Sequence, residues 1–321
     1  MVAPAHDGER PMRQSTRDDA EPIDDGWGLT PIDWDAFWKT EDDAAEWAIE
    51  PLIPAGRCTA LYAAAKVGKS LLALDVAAAA ATGGSILGQP KTEPITVLYV
   101  DLEMTAADLR ERLGDLGYGP DDDLTRLVYL QLPSMPLLDN DLGGELLVDL
   151  AVRHGVDLVV IDTMARAVSG EENSADTYRS FYRYTGLRLK SAGIAVLRID
   201  HQGKDTERGQ RGSSAKVDDL DVVFKMTSDG GHLFNLKRTH SRVPWVPIEL
   251  DIVRHEEPFL RHVLAHDAWP AGTSDTAMLL DDLVVPLDAT SSTAMAALRL
   301  AGNGKRKTVV LAALKYRRAQ S

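Results

Sequence analysis

The fold is decided by residues 57–82, which read RCTALYAAAKVGKSLLALDVAAAAAT. A short apolar run predicts a buried strand, a loop of small residues follows it, and an Ala- and Leu-rich segment then predicts a helix. A strand, a glycine-bearing loop and a helix N-terminus form a cradle for phosphate, because the N–H groups of the loop and the helix dipole both favour an anion. The stretch therefore predicts a nucleotide-binding P-loop.

This loop fits the pattern G-x-x-x-x-G-K-[ST] with one departure, since Ala63 stands where the first glycine usually lies. Lys69 is predicted to reach the β and γ phosphates of ATP, and the Ser70 hydroxyl is predicted to bind Mg²⁺. A chance GKS before a core helix is the alternative, and the strand–loop–helix context disfavours it. The predicted ATP-binding residues are Ala63, Ala64, Ala65, Lys66, Val67, Gly68, Lys69, Ser70 and Leu71.

Composition limits the class of protein. The chain has 321 residues, of which 44% are hydrophobic and 26% charged, as is ordinary for a globular protein in water. Its single cysteine, Cys58, excludes an internal disulfide framework and is typical of a reducing compartment, so we expect a cytoplasmic location. The sequence has no apolar signal core at its start and no apolar run that could span a bilayer, so we expect no membrane partner.

Charge is distributed unevenly along the chain. The net charge is −14, and residues 1–46 are strongly acidic and without periodicity, which predicts a largely disordered N-terminal extension. The C-terminal end is basic instead. Lys305, Arg306 and Lys307 precede or begin a predicted helix there, and we expect them to contact DNA.

Apolar runs alternate with helical stretches in the middle of the chain. The runs at residues 95–102, 127–132, 158–162 and 194–200 predict strands that are buried on both faces. Strands of this kind separated by helices predict a parallel sheet with helices on both sides. After residue 220 the strands follow one another without helices, which predicts an antiparallel extension.

The C-terminal region predicts a small helical element. Residues 268–277, AWPAGTSDTA, have the composition of a linker. In residues 278–321, two short helices flank a turn at Gly302, which resembles a helix-turn-helix or winged-helix unit. The alternative is an amphipathic hairpin that packs on its own core.

Polar side chains follow the strands at the points where ligands of parallel sheets bind. Asp101 and Glu103 follow one strand, and Glu103 has the longer reach to polarise a water, whereas Asp101 could instead cap the next helix. Asp162 ends a buried apolar strand, where an acid is costly unless it faces a cation, so it is predicted to hold Mg²⁺. His201 ends a further strand and is predicted to touch the γ phosphate.

A polar, glycine-rich loop follows His201. It could bind the backbone of a nucleic acid through its charges, or it could be an ordinary surface loop. The residues predicted to contact DNA are Lys204, Arg208, Arg211 and Lys216.

The ordered motifs of the chain resemble those of a known family. AAAKVGKS, YVDLEM, VVIDT, DHQGKD…RGSSA and LKRTHSR, spread over about residues 47–265, resemble the RepA-type branch of the RecA/DnaB superfamily of ring ATPases. The resemblance implies a RecA-like core over residues 47–267, a ring that is commonly hexameric, and ATP bound between subunits. It also implies helicase movement along single-stranded DNA and a replication-initiation or primase partner.

The resemblance also implies roles for individual residues. It assigns Lys69 and Ser70 to the P-loop, Glu103 to catalysis, Asp162 to Mg²⁺ and His201 to sensing. It adds an arginine finger that reaches the site of the neighbouring subunit, where the family has a K-x-R pair. We assign this finger to Arg242, with Lys237 or Arg238 as alternatives because His240 replaces the lysine of the pair.

The predicted function is therefore an ATP-hydrolysing DNA helicase or translocase that acts in replication. The alternative is an ATP-dependent DNA-binding, regulatory or recombination ATPase that forms rings or filaments without unwinding. Both would use the same ATPase core, and a strand-displacement assay separates them.

Overall fold

A computed structural model describes residues 31–39, 47–170, 174–201, 219–265 and 272–320. Of the extension predicted to be largely disordered, residues 1–46, only 31–39 fall within these ranges. The predicted DNA-binding loop with Lys204, Arg208, Arg211 and Lys216 lies outside them. The chain divides into two units, Met1–Ala44 and Ala45–Ser321. In the first unit, helix α1 spans Trp34–Lys39.

The second unit contains the strands and the other helices, and the four apolar runs form strands within two residues of their predicted bounds. The strands are β1 Trp47–Ile49, β2 Ile53–Pro54, β3 Cys58–Ala63, β4 Val97–Asp101, β5 Leu127–Gln131, β6 Leu158–Asp162, β7 Ala195–His201, β8 Val222–Ser228, β9 Leu233–Ser241, β10 Glu249–His255 and β11 Arg261–Leu264. The helices are α2 Lys69–Thr82, α3 Ala106–Asp115, α4 Asp141–Arg153, α5 Met164–Ala167, α6 Ala175–Phe181, α7 Leu187–Ser191, α8 Thr273–Asp282, α9 Ser291–Leu300 and α10 Lys307–Gln320. A π-helical turn, Tyr182–Gly186, joins α6 to α7.

Within the described ranges, nine strands form one sheet in the order β11-β10-β9-β8-β3-β7-β6-β4-β5. The six strands from β8 to β5 run parallel. Strands β9, β10 and β11 extend the sheet in antiparallel fashion beyond β8. The predicted α/β fold, a mostly parallel sheet with an antiparallel extension, is confirmed.

Helices cover both faces of the sheet, as continuous apolar strands require. On one face α2 packs against β4, and its Leu72 belongs to the same core cluster as Leu197 of β7. Every residue from Leu72 to Ala81 is buried. The alanine side chains are small, so this helix can approach the sheet closely. Its second half, from Val76 to Ala81, is apolar on every face, and such a segment must lie in a core. On the other face α4 and α6 pack through Leu147 and Phe181.

The C-terminal helices share a separate small core that includes Leu280, Leu298 and Val310. Helix α8 begins at Thr273, inside the stretch 268–277 whose composition predicts a linker. Buried Thr276 and Ala277 explain this difference, because tertiary contacts override the loop-like composition.

Two of the basic residues near the C-terminus are bound within this helical element. Arg317 donates to Asp281 Oδ1 at 2.7 Å and to the Val285 carbonyl at 2.6 Å, and Arg318 donates to the Leu287 carbonyl at 2.8 Å. The predicted DNA-binding residues before and at the start of α10 are exposed. They are Lys305, Arg306 and Lys307.

Candidate active site

The P-loop joins β3 to α2 as the sequence predicts. Gly68 has φ 106° and ends the loop, a conformation that side chains with a Cβ rarely adopt. The Phe234 ring from β9 lies against this turn, 3.6 Å from where a Cβ on Gly68 would be. Lys69 Nζ donates to the carbonyls of Ala63 at 3.2 Å and Ala64 at 3.1 Å. The ammonium group therefore lies at the loop, where phosphates of a nucleotide would bind.

Ser70 and Asp162 bring two side-chain oxygens together at the P-loop. Ser70 Oγ donates to Asp162 Oδ1 at 3.1 Å, and Tyr99 Oη donates to Asp162 Oδ2 at 2.8 Å. Burial raises the pKa of Asp162, while the hydrogen bonds from Tyr99 and Ser70 lower it in part. A hydroxyl and a buried carboxylate fit Mg²⁺, which prefers hard oxygen ligands and favours the ionised carboxylate.

Asp101 lies next to Asp162 across the sheet and is fully buried. It accepts the N–H groups of Glu103 at 2.9 Å and Met104 at 3.0 Å, and Tyr129 Oη at 2.6 Å. Its carboxylate thus holds the turn that presents Glu103. Thr105, with Asp108, caps α3 instead of Asp101.

Glu103 contacts three groups through one oxygen, Oε1. Arg166 Nε lies 3.2 Å away, Thr163 Oγ1 3.4 Å away and His201 Nε2 3.9 Å away. His201 is paired with Ala63 of the neighbouring strand. The structure thus brings Glu103, His201 and the P-loop together at the carboxyl ends of the parallel strands.

Sequence reasoning missed Arg166, Thr163 and Tyr99 as members of this site. Thr163 and Arg166 follow Asp162 by one and four residues, so closeness to the predicted Mg²⁺ ligand was the available signal. Tyr99 precedes Asp101 by two residues and is on the same strand. The alternation of side chains along a strand does not reveal that the Tyr99 hydroxyl bonds to Asp162 on another strand.

Arg242 lies near the amino ends of the parallel strands, opposite the end that carries the P-loop. Ser241 pairs with Val222, which pairs with Thr59 at the start of β3. The P-loop begins four residues after Thr59, a separation of about 13 Å along the strand. The structure therefore does not bring Arg242 to the P-loop of its own chain.

The alternatives to Arg242 differ in their surroundings. The Arg238 guanidinium donates to the carbonyls of Val243, Pro244 and Val246, and burial lowers its pKa. Arg238 thus shapes the turn that follows Arg242. Lys237 and Arg242 are exposed.

The fold and this site define a P-loop ATPase of the α/β class. Its parts are Lys69 and Ser70 after the loop, the buried carboxylate of Asp162 at the end of β6, and Glu103 after the neighbouring strand β4. A family model described as an AAA domain matches residues 28–207, more than half of the chain, and the chain therefore belongs to this AAA domain family. Membership implies that it uses a nucleotide, usually with Mg²⁺.

The helices of the described ranges can be compared with the length and hydropathy that a membrane span requires. None of the helices there is both long and apolar enough to span a bilayer.

Proposed function

We propose that this ATPase is a DNA helicase or translocase of the RepA type that acts on single-stranded DNA in replication. The DNA and replication roles rest on the resemblance of the motifs, and the separation of Arg242 from the P-loop of its own chain supports a site shared between subunits. An arginine finger in that place serves hydrolysis only if a second copy of the chain brings it. The proposed active form is therefore a ring, most commonly a hexamer, with ATP between subunits.

The residues at the sheet edge divide the work of ATP hydrolysis. Loop N–H groups and Lys69 bind the β and γ phosphates of ATP, and Ser70 with Asp162 would hold Mg²⁺, which supplies charge neutralisation when bound. Glu103 orients the attacking water. His201, 3.9 Å from Glu103, contacts the γ phosphate and responds to its loss.

Arg242 of the neighbouring subunit stabilises the negative charge that develops on the transferred phosphoryl group. A planar guanidinium with several donors suits this role, and fingers of this kind increase turnover by about 10³–10⁵-fold. Its backbone N–H donates to the Asp221 carbonyl at 2.8 Å, which fixes the base of the side chain.

DNA binding rests on positive side chains outside the ATP site. Lys305, Arg306 and Lys307 are exposed together, and the four cations of the loop after His201 remain a prediction. Contacts of this kind bind the phosphate backbone without reading sequence. A replication-initiation protein or primase is the proposed loading partner.

A mixing experiment tests whether the site is shared. Arg242→Ala and Lys69→Ala chains should each be inactive alone, because one lacks the finger and the other the phosphate-binding lysine. Mixed together, they should regain part of the ATPase activity at interfaces where an intact P-loop meets an intact finger. An equimolar mixture as inactive as either variant would refute the shared site.

A strand-displacement assay on forked DNA tests the motor function. Unwinding that requires ATP and is lost in Lys69→Ala supports a helicase. ATP-dependent binding of single-stranded DNA without unwinding would instead favour a regulatory or recombination ATPase.

A further inference from the structure

Hydrogen bonds from the described residues fix only one of the two carboxylate oxygens of Glu103. Both hydrogen-bond donors in the described ranges, Arg166 Nε at 3.2 Å and Thr163 Oγ1 at 3.4 Å, point to Oε1. His201 Nε2 also approaches Oε1, at 3.9 Å. The other oxygen, Oε2, makes no hydrogen bond with these parts of the chain. One oxygen is thus fixed by the protein, and the second is left for a water.

The backbone that carries Arg166 is held in place by the core. Arg166 belongs to α5, the short helix that starts two residues after Asp162, and its neighbours Met164 and Ala167 are buried in the core. The Arg166 side chain is 62% exposed and the Glu103 side chain 34% exposed. Ion pairs as exposed as this one contribute little to stability, so the fold does not depend on the contact.

Resting on the proposed ATP hydrolysis, we infer that Arg166 is a positioning residue for the hydrolytic step. A glutamate side chain has several rotatable bonds, and orienting a water requires one rotamer with an oxygen near hydrogen-bond distance of it. Arg166 and Thr163 select that rotamer by binding Oε1, and Oε2 then accepts the hydrogen bond of the water.

This arrangement also joins the two halves of the site. Arg166 and Thr163 belong to the segment that continues from Asp162, the proposed Mg²⁺ ligand, while Glu103 follows the adjacent strand β4. The contact sets the position of the water-orienting carboxylate relative to the proposed metal ligand. A small displacement of such a group can cost about a hundredfold in rate.

The test is Arg166→Ala in the full chain, with Arg179→Ala as the matched control. Arg179 is a similarly exposed arginine, 68% against 62% for Arg166, and forms an ion pair with Asp176 on helix α6. We expect kcat for ATP to fall by about ten- to a hundredfold in Arg166→Ala, with KM and the affinity for a fluorescent ATP analogue within about twofold of wild type. Arg179→Ala should match wild type, and Arg166→Lys should recover part of kcat because it keeps a cationic donor.

A double-mutant cycle shows whether Arg166 acts through Glu103. In a Glu103→Gln background, Arg166→Ala should cause no further loss of turnover. An undiminished loss in that background, an unchanged kcat in the single variant, or a parallel loss of nucleotide affinity would each overturn the inference, the last because it would place Arg166 on the nucleotide. Absence of turnover in the wild-type chain would instead refute the proposed function, and with it any role in hydrolysis.

Discussion

Replacing Asp75 by alanine should destabilise the protein strongly without touching the ATP site. Asp75 lies within α2, yet it is only 4% exposed, and His262 of the edge strand β11 is 2% exposed. Asp75 Oδ2 accepts the His262 backbone N–H at 2.8 Å and lies 2.9 Å from His262 Nδ1. A carboxylate oxygen accepts hydrogen bonds, so we assign His262 Nδ1 as the donor of this one.

The expected loss follows from the donors left behind. Asp75→Ala leaves two buried donors of His262 without an acceptor, and each costs about 1–3 kcal/mol. Together the two donors give an expected loss of about 4 kcal/mol. For a protein of this size that corresponds to a fall in the thermal midpoint of about 10 °C.

Thermal unfolding followed by tryptophan fluorescence measures this loss. Asp149→Ala, on the exposed face of α4, is the matched control and should change stability by less than about 0.5 kcal/mol. Asp75→Asn keeps an acceptor oxygen and should fall between the two. An Asp75→Ala midpoint within one or two degrees (about 0.5 kcal/mol) of the Asp149→Ala value would refute the reasoning, because the His262 donors would then have other partners or water.

Three further predictions concern the ATP site and the basic end. Lys69→Ala should reduce ATP turnover by at least about a hundredfold while the thermal midpoint without nucleotide stays near that of wild type, which steady-state kinetics and calorimetry check. Burial raises the pKa of Asp162 above its unfolded value, so the ionised carboxylate lowers the stability of the fold at neutral pH. Asp162→Asn should therefore raise the thermal midpoint near pH 7, and this increase should disappear towards about pH 4, where the aspartate is protonated. The same variant should lose Mg²⁺-dependent turnover. Changing Lys305, Arg306 and Lys307 to alanine should weaken binding of single-stranded DNA and flatten its log–log salt dependence by about 2, whereas an unchanged slope would remove these residues from the interface.

Much of the fold could be predicted because buried parallel strands have a strong local pattern. The apolar run at residues 158–162 predicts β6 with its bounds, and polar residues at strand ends predict the edge where the site lies. The order of the strands could not be predicted in the same way, since it depends on contacts between distant segments. Helix α8 was missed because its first residues, from Thr273, have the composition of a loop.

The site was predictable where a motif fixes the chemistry and less so where partners meet only in three dimensions. Lys69, Ser70 and Asp162 lie together as their motifs imply. Arg166 carries no motif, and an exposed arginine on a four-residue helix looks like any surface cation. Asp75 and His262 are 187 residues apart in the chain, so neither reveals the other.

The antiparallel extension sets a practical limit on how the chain can be shortened. The matched family segment stops at residue 207, but Phe234 against Gly68, His262 against Asp75 and β8 beside β3 all come from later residues. In a fragment that ends at residue 207, β3 would lose its neighbour β8 and become an edge strand. Buried Asp75 would lose its partner His262, and the P-loop would lose the Phe234 ring that packs against Gly68. We therefore expect the shortest piece that can be expressed as a well-behaved ATPase to run at least to Leu264.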